Sequence, residues 1–255
     1  MKIFSIFLLM VIFCTCVRAS DLEKEDRMRA QVADYVMDGE VVFLKSGLRD
    51  FLSIYMASEA QEVKGAVIIL HGRGLNPNWP ELVYPLRTGL TEYAWDTLSI
   101  QLPVLDNDAS FYDYMDILHE AHPRINAAVE FLKQKNIKNI ILLAHSCSVH
   151  TAVYWLYENP QGGVNGFIGI GMGSTDTGQP MRKPFPLDKI YIPVLDIYGE
   201  NDFPSVRNNA ARRLNHTQQA GNTKSLQQVI PGSDHYHSEN NAILLREIVD
   251  WLESL

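Results

Sequence analysis

Residues 139–148, Asn-Ile-Ile-Leu-Leu-Ala-His-Ser-Cys-Ser, constrain the fold more than any other stretch of the chain. An apolar run with strand character stops at a small-x-Ser-x-small pattern, Ala144 to Ser148, and a helical pattern follows. Small residues two places before and after a serine let backbone segments approach closely in a sharp strand-to-helix turn. Such a turn lifts the serine hydroxyl above a sheet, as in a nucleophile elbow. Ala144 and Ser148 stand where glycine is usual, so the pattern is a relaxed one. A serine capping a helix after a buried strand gives the same local sequence.

A serine nucleophile needs a base, and the base needs an orienting carboxylate. Residues 192–202 form a second apolar strand ending in a turn that carries Asp202, and residues 226–235 a third, ending at His235. Upstream, Ala66-Val67-Ile68-Ile69-Leu70 is a continuous apolar run, as expected of a strand covered on both faces in a parallel sheet. His71-Gly72-Arg73-Gly74 follows it directly. In an open α/β sheet, sites form beyond the carboxyl ends of strands, where all four segments fall.

Between these points the chain alternates. Residues 40–44 and 50–57 are β-rich and separated by Ser46-Gly47, a hairpin signature. Residues 97–102 and 167–172 read as further strands. Helical spacing appears over 80–95, from Ile125 through Ala128, Val129 and Leu132, over 147–157 and over 206–220. A last amphipathic helix carries Ala242, Leu245, Ile248, Val249 and Leu252, and residues 20–36 form a polar leading arm or helix. The expected fold is α/β: a mostly parallel central sheet with helices on both faces and an N-terminal β-hairpin. Residues 173–187 form an irregular excursion too short for a large helical lid, so an open site is expected.

Lys2, the uncharged and mostly apolar run 3–17, and Val17-Arg18-Ala19 predict a secretory signal peptide over residues 1–19 ahead of one domain, 20–255. The run falls short of the roughly 18 apolar residues of a spanning helix, so no stable membrane span is expected after cleavage. Removing 1–19 leaves 20 basic against 30 acidic residues, a net charge of −10, which argues against nucleic acid or an anionic membrane as partner. The same cut removes Cys14 and Cys16 and leaves Cys147 alone. No internal disulfide or Cys-rich zinc site is then expected, and an exported chain of this kind must rely on its core.

The order Ser146…Asp202…His235, with the His-Gly-x loop upstream, resembles the α/β-hydrolase superfamily from about residue 40 to the C-terminus. The chain is similar to uncharacterised exported bacterial members. The resemblance implies that Ser146 attacks an acyl carbon, His235 moves its proton, and Asp202 holds the imidazole. It places the oxyanion-hole N–H groups at Cys147 and Arg73, with Gly74 the fallback donor, and requires no metal or cofactor. Gly74, Phe111 and Tyr112 are candidate substrate-binding residues; Phe111, Tyr112 and Tyr114 could equally cover core. The expected function is an exported serine hydrolase cleaving a carboxylic ester, small or lipid-like. The alternatives are a non-catalytic binding or assembly protein on this fold, and a hydrolase of amides or thioesters.

Each role has a rival. Cys147 as nucleophile would be flanked by the bulky His145 and Val149. Asp196 is a second acid on the Asp202 strand, Asp234 adjoins the base, and His237 is a second imidazole beside His235. His145 and His150 read as packed residues, and His71 as a local brace of the oxyanion loop. The Arg73 side chain fits either an acidic substrate group or an ion pair. Asp106-Asn107-Asp108 lacks the remaining ligands of a calcium loop and reads as a solvated turn.

Overall fold

A computed structural model of the protein describes residues 19–255, so all but the last residue of the predicted leader, with Cys14 and Cys16, lies outside the described residues. Strands β1 (Glu40–Ser46) and β2 (Arg49–Met56) form the expected hairpin, pairing Ser46 with Arg49 across Gly47, whose φ of 61° only glycine adopts readily. The remaining strands are β3 (Gly65–Leu70), β4 (Trp95–Ile100), β5 (Ile140–His145), β6 (Gly166–Ile170), β7 (Val194–Gly199) and β8 (Leu226–Ile230). They join one eight-stranded sheet in the order β1-β2-β4-β3-β5-β6-β7-β8. Only β1–β2 and β2–β4 are antiparallel; the other pairs are parallel.

The uninterrupted apolar runs follow from this arrangement. Every residue of β3 and β5 is buried. Ala66, Ile68 and Leu70 join an apolar layer with α4 (His122–Gln134) and α5 (Ser148–Glu158). Val67 and Ile69 join the opposite layer with α2 (Val83–Gly89) and α8 (Asn241–Glu253). Each such valine, leucine or isoleucine side chain contributes about 1.5–3 kcal/mol on burial, so a polar residue on either face of these strands would be costly. α1 (Leu22–Ala33), α3 (Phe111–Ile117), α6 (Pro204–Arg207) and α7 (Ala210–Gln219) complete the α-helices of the described residues.

Three elements differ from the sequence expectation. The helix read over 80–95 is α2 followed by a tighter turn, Leu90–Tyr93, closed by Ala94 in the left-handed region. The helix read over 206–220 breaks at Asn208-Asn209, residues whose short amides compete for backbone bonds and favour helix ends. α3 was not anticipated as a helix; Ser110 and Asp113 start it with a reciprocal capping box. Residues 173–186 carry no helix or strand, and among the described residues no lid domain covers this end of the sheet. No helix of the described residues is long and apolar enough to cross a membrane.

α1 is polar, and polar contacts hold it. The Asp21 N–H donates to the Val104 carbonyl at 2.7 Å, and Lys24 Nζ donates to the Leu105 carbonyl and to Asn107 Oδ1, both at 2.7 Å. Glu25 pairs with the buried Arg124 at 2.7 Å, and Arg124 also donates to the Gln101 carbonyl at 3.1 Å. The Asp106–Asp108 turn is thus a docking point for α1.

Candidate active site

β5 ends at His145, and Ser146 turns the chain with φ 60°, a conformation costing a non-glycine residue about 1–2 kcal/mol. Neighbouring bonds hold it there. The Ser146 N–H donates to the Ile170 carbonyl of β6 at 2.8 Å. Ser148, which replaces the usual glycine, accepts the His145 N–H at 3.0 Å, and its hydroxyl lies 2.9 Å from the His145 carbonyl and 3.1 Å from that of Leu70. The departure from glycine therefore staples the elbow to β3. Ala144, the other departure, is fully buried in the core.

The turn after β7 presents Asp202, and the loop between β8 and α8 presents His235. His235 Nδ1 lies 2.7 Å from Asp202 Oδ1, which also accepts the Phe203 N–H at 2.6 Å. His235 Nε2 lies 2.8 Å from Ser146 Oγ. With the Nδ1 proton directed at the carboxylate, Nε2 is left to accept from the serine hydroxyl; this network assigns the tautomer. All three residues sit at carboxyl ends of strands, and the structure brings them together. Asp202 and His235 are both buried.

Residues to which the sequence reading gave no role at the base fix the imidazole. Phe203 stacks on it at 4.2 Å between centroids, and Tyr236 meets it edge-on at 5.2 Å. Gly171, just past β6, comes so close that a Cβ there would stand 2.7 Å from His235 Cε1. His145, stacked on Trp79, has Nε2 3.0 Å from the His235 carbonyl oxygen. Burial holds His145 well below the ordinary imidazole range, so it is neutral and donates its Nε2 proton to that carbonyl. Phe203 and Tyr236 directly follow Asp202 and His235, and that adjacency was the available signal. For Trp79 there was none.

The resemblance assigns two backbone N–H groups, those of Arg73 and Cys147, to the oxyanion hole. Neither Arg73 nor Cys147 gives its N–H to an acceptor among the described residues. The Tyr114 hydroxyl accepts the Leu105 N–H at 2.9 Å and lies beside Gly74, the fallback donor. His71 braces this loop: its Nε2 accepts the Leu102 N–H at 2.9 Å, so the 2.8 Å contact between Nδ1 and the Gly72 carbonyl is a donated bond. Burial pushes His71 down to about 4, keeping it neutral.

The Arg73 side chain makes a two-pronged pair with Asp176, 2.8 Å on each arm, and Asp176 also accepts the Phe111 N–H at 2.7 Å. The Arg73 hydrogen bonds hold the Asp176 carboxyl below its usual range. The pair ties the 173–186 excursion to the oxyanion loop. Burial pushes the Cys147 thiol up to about 12, so it remains protonated and is a poor nucleophile.

A cleft of about 860 Å³ opens over Ser146, walled by Gly72, Arg73, Phe111, residues 173–178, Met181, Phe203 and the α6–α7 segment. Two candidate binding residues lie elsewhere. Gly74 does not line the cleft, and Tyr112 donates its hydroxyl to the Pro180 carbonyl while Arg182 covers its ring at 4.0 Å. The rivals are also placed apart. Asp196 accepts Arg213 Nε at 2.8 Å and Gln227 Nε2 at 2.7 Å. Asp234 caps its own turn through Tyr236 N and His237 N. His237 lies 2.7 Å from Ser233 Oγ, and His150 packs between Phe111 and Phe185; burial pushes both imidazoles to about 4.

A mostly parallel eight-stranded sheet, helices on both faces and a serine at the β5 elbow define the α/β-hydrolase fold, and the chain has that fold. The family whose pattern it matches is described as "Protein of unknown function (DUF3530)", over residues 15–115 and 113–254, and the chain belongs to that family. No curated protein matches the sequence. Among solved structures it is similar to Est1E from Butyrivibrio proteoclasticus, with TM-score 0.62 and 12% identity over 84% of this chain and 98% of that one. XC6422 from Xanthomonas campestris, described as an α/β serine hydrolase without lid, aligns with TM-score 0.62 and 13% identity over 86% of this chain and 96% of its own. A soluble variant of monoglyceride lipase from Saccharomyces cerevisiae aligns with TM-score 0.63 and 12% identity over 86% and 96%. Identities this low establish a shared fold, and fold alone does not fix activity.

Proposed function

We propose that the protein is a serine hydrolase that cleaves a carboxylic ester through an acyl-enzyme intermediate. One observation carries the reading: the unbroken contact from Ser146 Oγ through the His235 imidazole to the Asp202 carboxylate, 2.8 Å and 2.7 Å. Its neighbours in fold include proteins described as an α/β serine hydrolase and a monoglyceride lipase, and this supports the same reading.

Ser146 Oγ forms a bond to the ester carbonyl carbon while its proton passes to His235 Nε2. The carbonyl π electrons move to oxygen, and the Arg73 and Cys147 N–H groups receive that charge; each such donor is worth roughly 2.7–4 kcal/mol of barrier. Collapse breaks the carbon–oxygen bond, and His235 gives its proton to the departing alkoxide. Water then repeats the sequence: it loses a proton to His235, attacks the acyl carbon and releases the acid and Ser146. Asp202 stays ionised and stabilises the imidazolium at each stage. The leader-like residues 1–19 support action outside the cytoplasm.

The test is a fluorophosphonate probe, with turnover of short 4-nitrophenyl esters beside matched amides and thioesters. Wild type is expected to label and to hydrolyse the ester fastest, and Ser146→Ala to do neither. Absent labelling, or labelling that survives the substitution, overturns the assignment.

A further inference from the structure

We propose that the ester this cleft accepts carries a carboxylate, and that Arg212 seats it. The inference rests on the ester-hydrolase reading above and names its substrate class. It comes from the charges that line the cleft. Arg73 and Asp176 cancel each other in a two-pronged pair, and the second carboxylate oxygen is further occupied by Phe111 N. Arg212 lines the same cleft and makes no ion pair, hydrogen bond or ring contact among the described residues. Two arginines near the cleft are committed elsewhere: Arg213 to Asp196 and Arg182 to the Tyr112 ring.

The segment bearing Arg212 holds no acid that could neutralise it. α7 reads AARRLNHTQQ, with no carboxylate anywhere in the helix. Beside Arg212 the wall presents Asn208, whose amide is unpartnered among the described residues, and Asn209, whose amide N donates to Ser205 O at 2.8 Å. A guanidinium offers a planar fork that matches a carboxylate in two parallel bonds, and an adjacent amide adds a donor. The setting makes the charge conspicuous. The chain carries a net charge of −8, so its general field repels anions, while the uncancelled charge of this concavity is positive. A cleft lined by one sign of charge focuses the field and raises the local concentration of the opposite ion.

Three esters test this: 4-nitrophenyl hemiglutarate, with a carboxylate on the acyl side; 4-acetoxybenzoate, with one on the leaving group; and neutral 4-nitrophenyl butyrate. Wild type is expected to prefer one of the two anionic esters. In Arg212→Ala the ratio of kcat/KM between that ester and the butyrate falls about fivefold to tenfold, through KM. Arg212→Lys recovers part of the ratio, Arg212→Glu inverts it, and added salt shrinks it in wild type. Calorimetric titration of the hemiglutarate and the acetoxybenzoate into Ser146→Ala, with and without Arg212→Ala, reads the same contact without turnover. A ratio and a Kd that do not respond to Arg212 overturn the inference even if the ester is cleaved. Arg212-dependent binding without any cleavage instead overturns the hydrolase reading and leaves the anion contact standing.

Discussion

Replacing Gly171 by alanine puts a methyl group where the His235 imidazole stands. The added Cβ would lie 2.7 Å from Cε1 and 3.0 Å from Nδ1 of that ring. Carbon atoms in contact settle at about 3.5 Å or more, so something must retreat by roughly 0.8 Å. The ring has little room, because Phe203 stacks on its face at 4.2 Å and Asp202 holds Nδ1 at 2.7 Å. A shift of that size takes either the 2.7 Å or the 2.8 Å contact beyond hydrogen-bond range. Misplacement by about 1 Å can cost on the order of a hundredfold in rate. Gly171 also has φ 63°, which adds about 1–2 kcal/mol of backbone strain for alanine. Gly221 separates the two effects: its φ is 79°, and nothing lies within 4 Å of an added Cβ. Both alanine variants are expected to lose about 1–2 kcal/mol in urea denaturation, while Gly171→Ala alone loses about a hundredfold in ester turnover and in fluorophosphonate labelling rate. A Gly171→Ala protein labelled as fast as Gly221→Ala would refute the claim that the ring is wedged in place.

Two further outcomes concern stability. Arg213→Met leaves Asp196 buried without its counter-charge and should cost about 3–5 kcal/mol by urea denaturation, whereas Arg213→Met with Asp196→Leu should recover much of it; equal losses in the two proteins would contradict the pairing. His71, His150 and His237 are pushed from the usual 6.5 to about 4 by burial, so the unfolded chain binds more protons than the folded one between those values. Their contribution is complete above pH 6.5 and is lost as pH falls toward 4, with a slope of up to about 1.4 kcal/mol per pH unit for each histidine. A urea midpoint that stays constant between pH 7 and pH 5 would show that these imidazoles are not held neutral.

The strands were legible because a doubly covered sheet demands unbroken apolar runs, and Ala66–Leu70 and Ile140–Ala144 have them. The elbow was legible because a strand that ends in small residues around a serine has few other uses. Helix breaks were less so: periodicity over 206–220 is continuous in sequence, and only the paired asparagines hint at the gap between α6 and α7. α3 is short and aromatic, and its Ser110/Asp113 box was the readable clue. The side chains around the imidazole were the hardest. His145 reaches a carbonyl ninety positions away, and Arg73 meets Asp176 across more than a hundred, so no local pattern encodes either contact. Asp202 was preferred to Asp196 because the resemblance favours the residue after the Gly-x-x turn, and Arg213 shows why a carboxylate inside a strand is tolerated.

Glu25, Arg124, Gln101 and His71 stand in one line of contacts running from the first helix to the loop that carries Arg73. The first helix of the described residues and the lip of the cleft are thereby joined by an unbroken path of polar contacts. A substitution that removes Glu25 would leave the buried Arg124, which holds the Gln101 carbonyl, without its counter-charge.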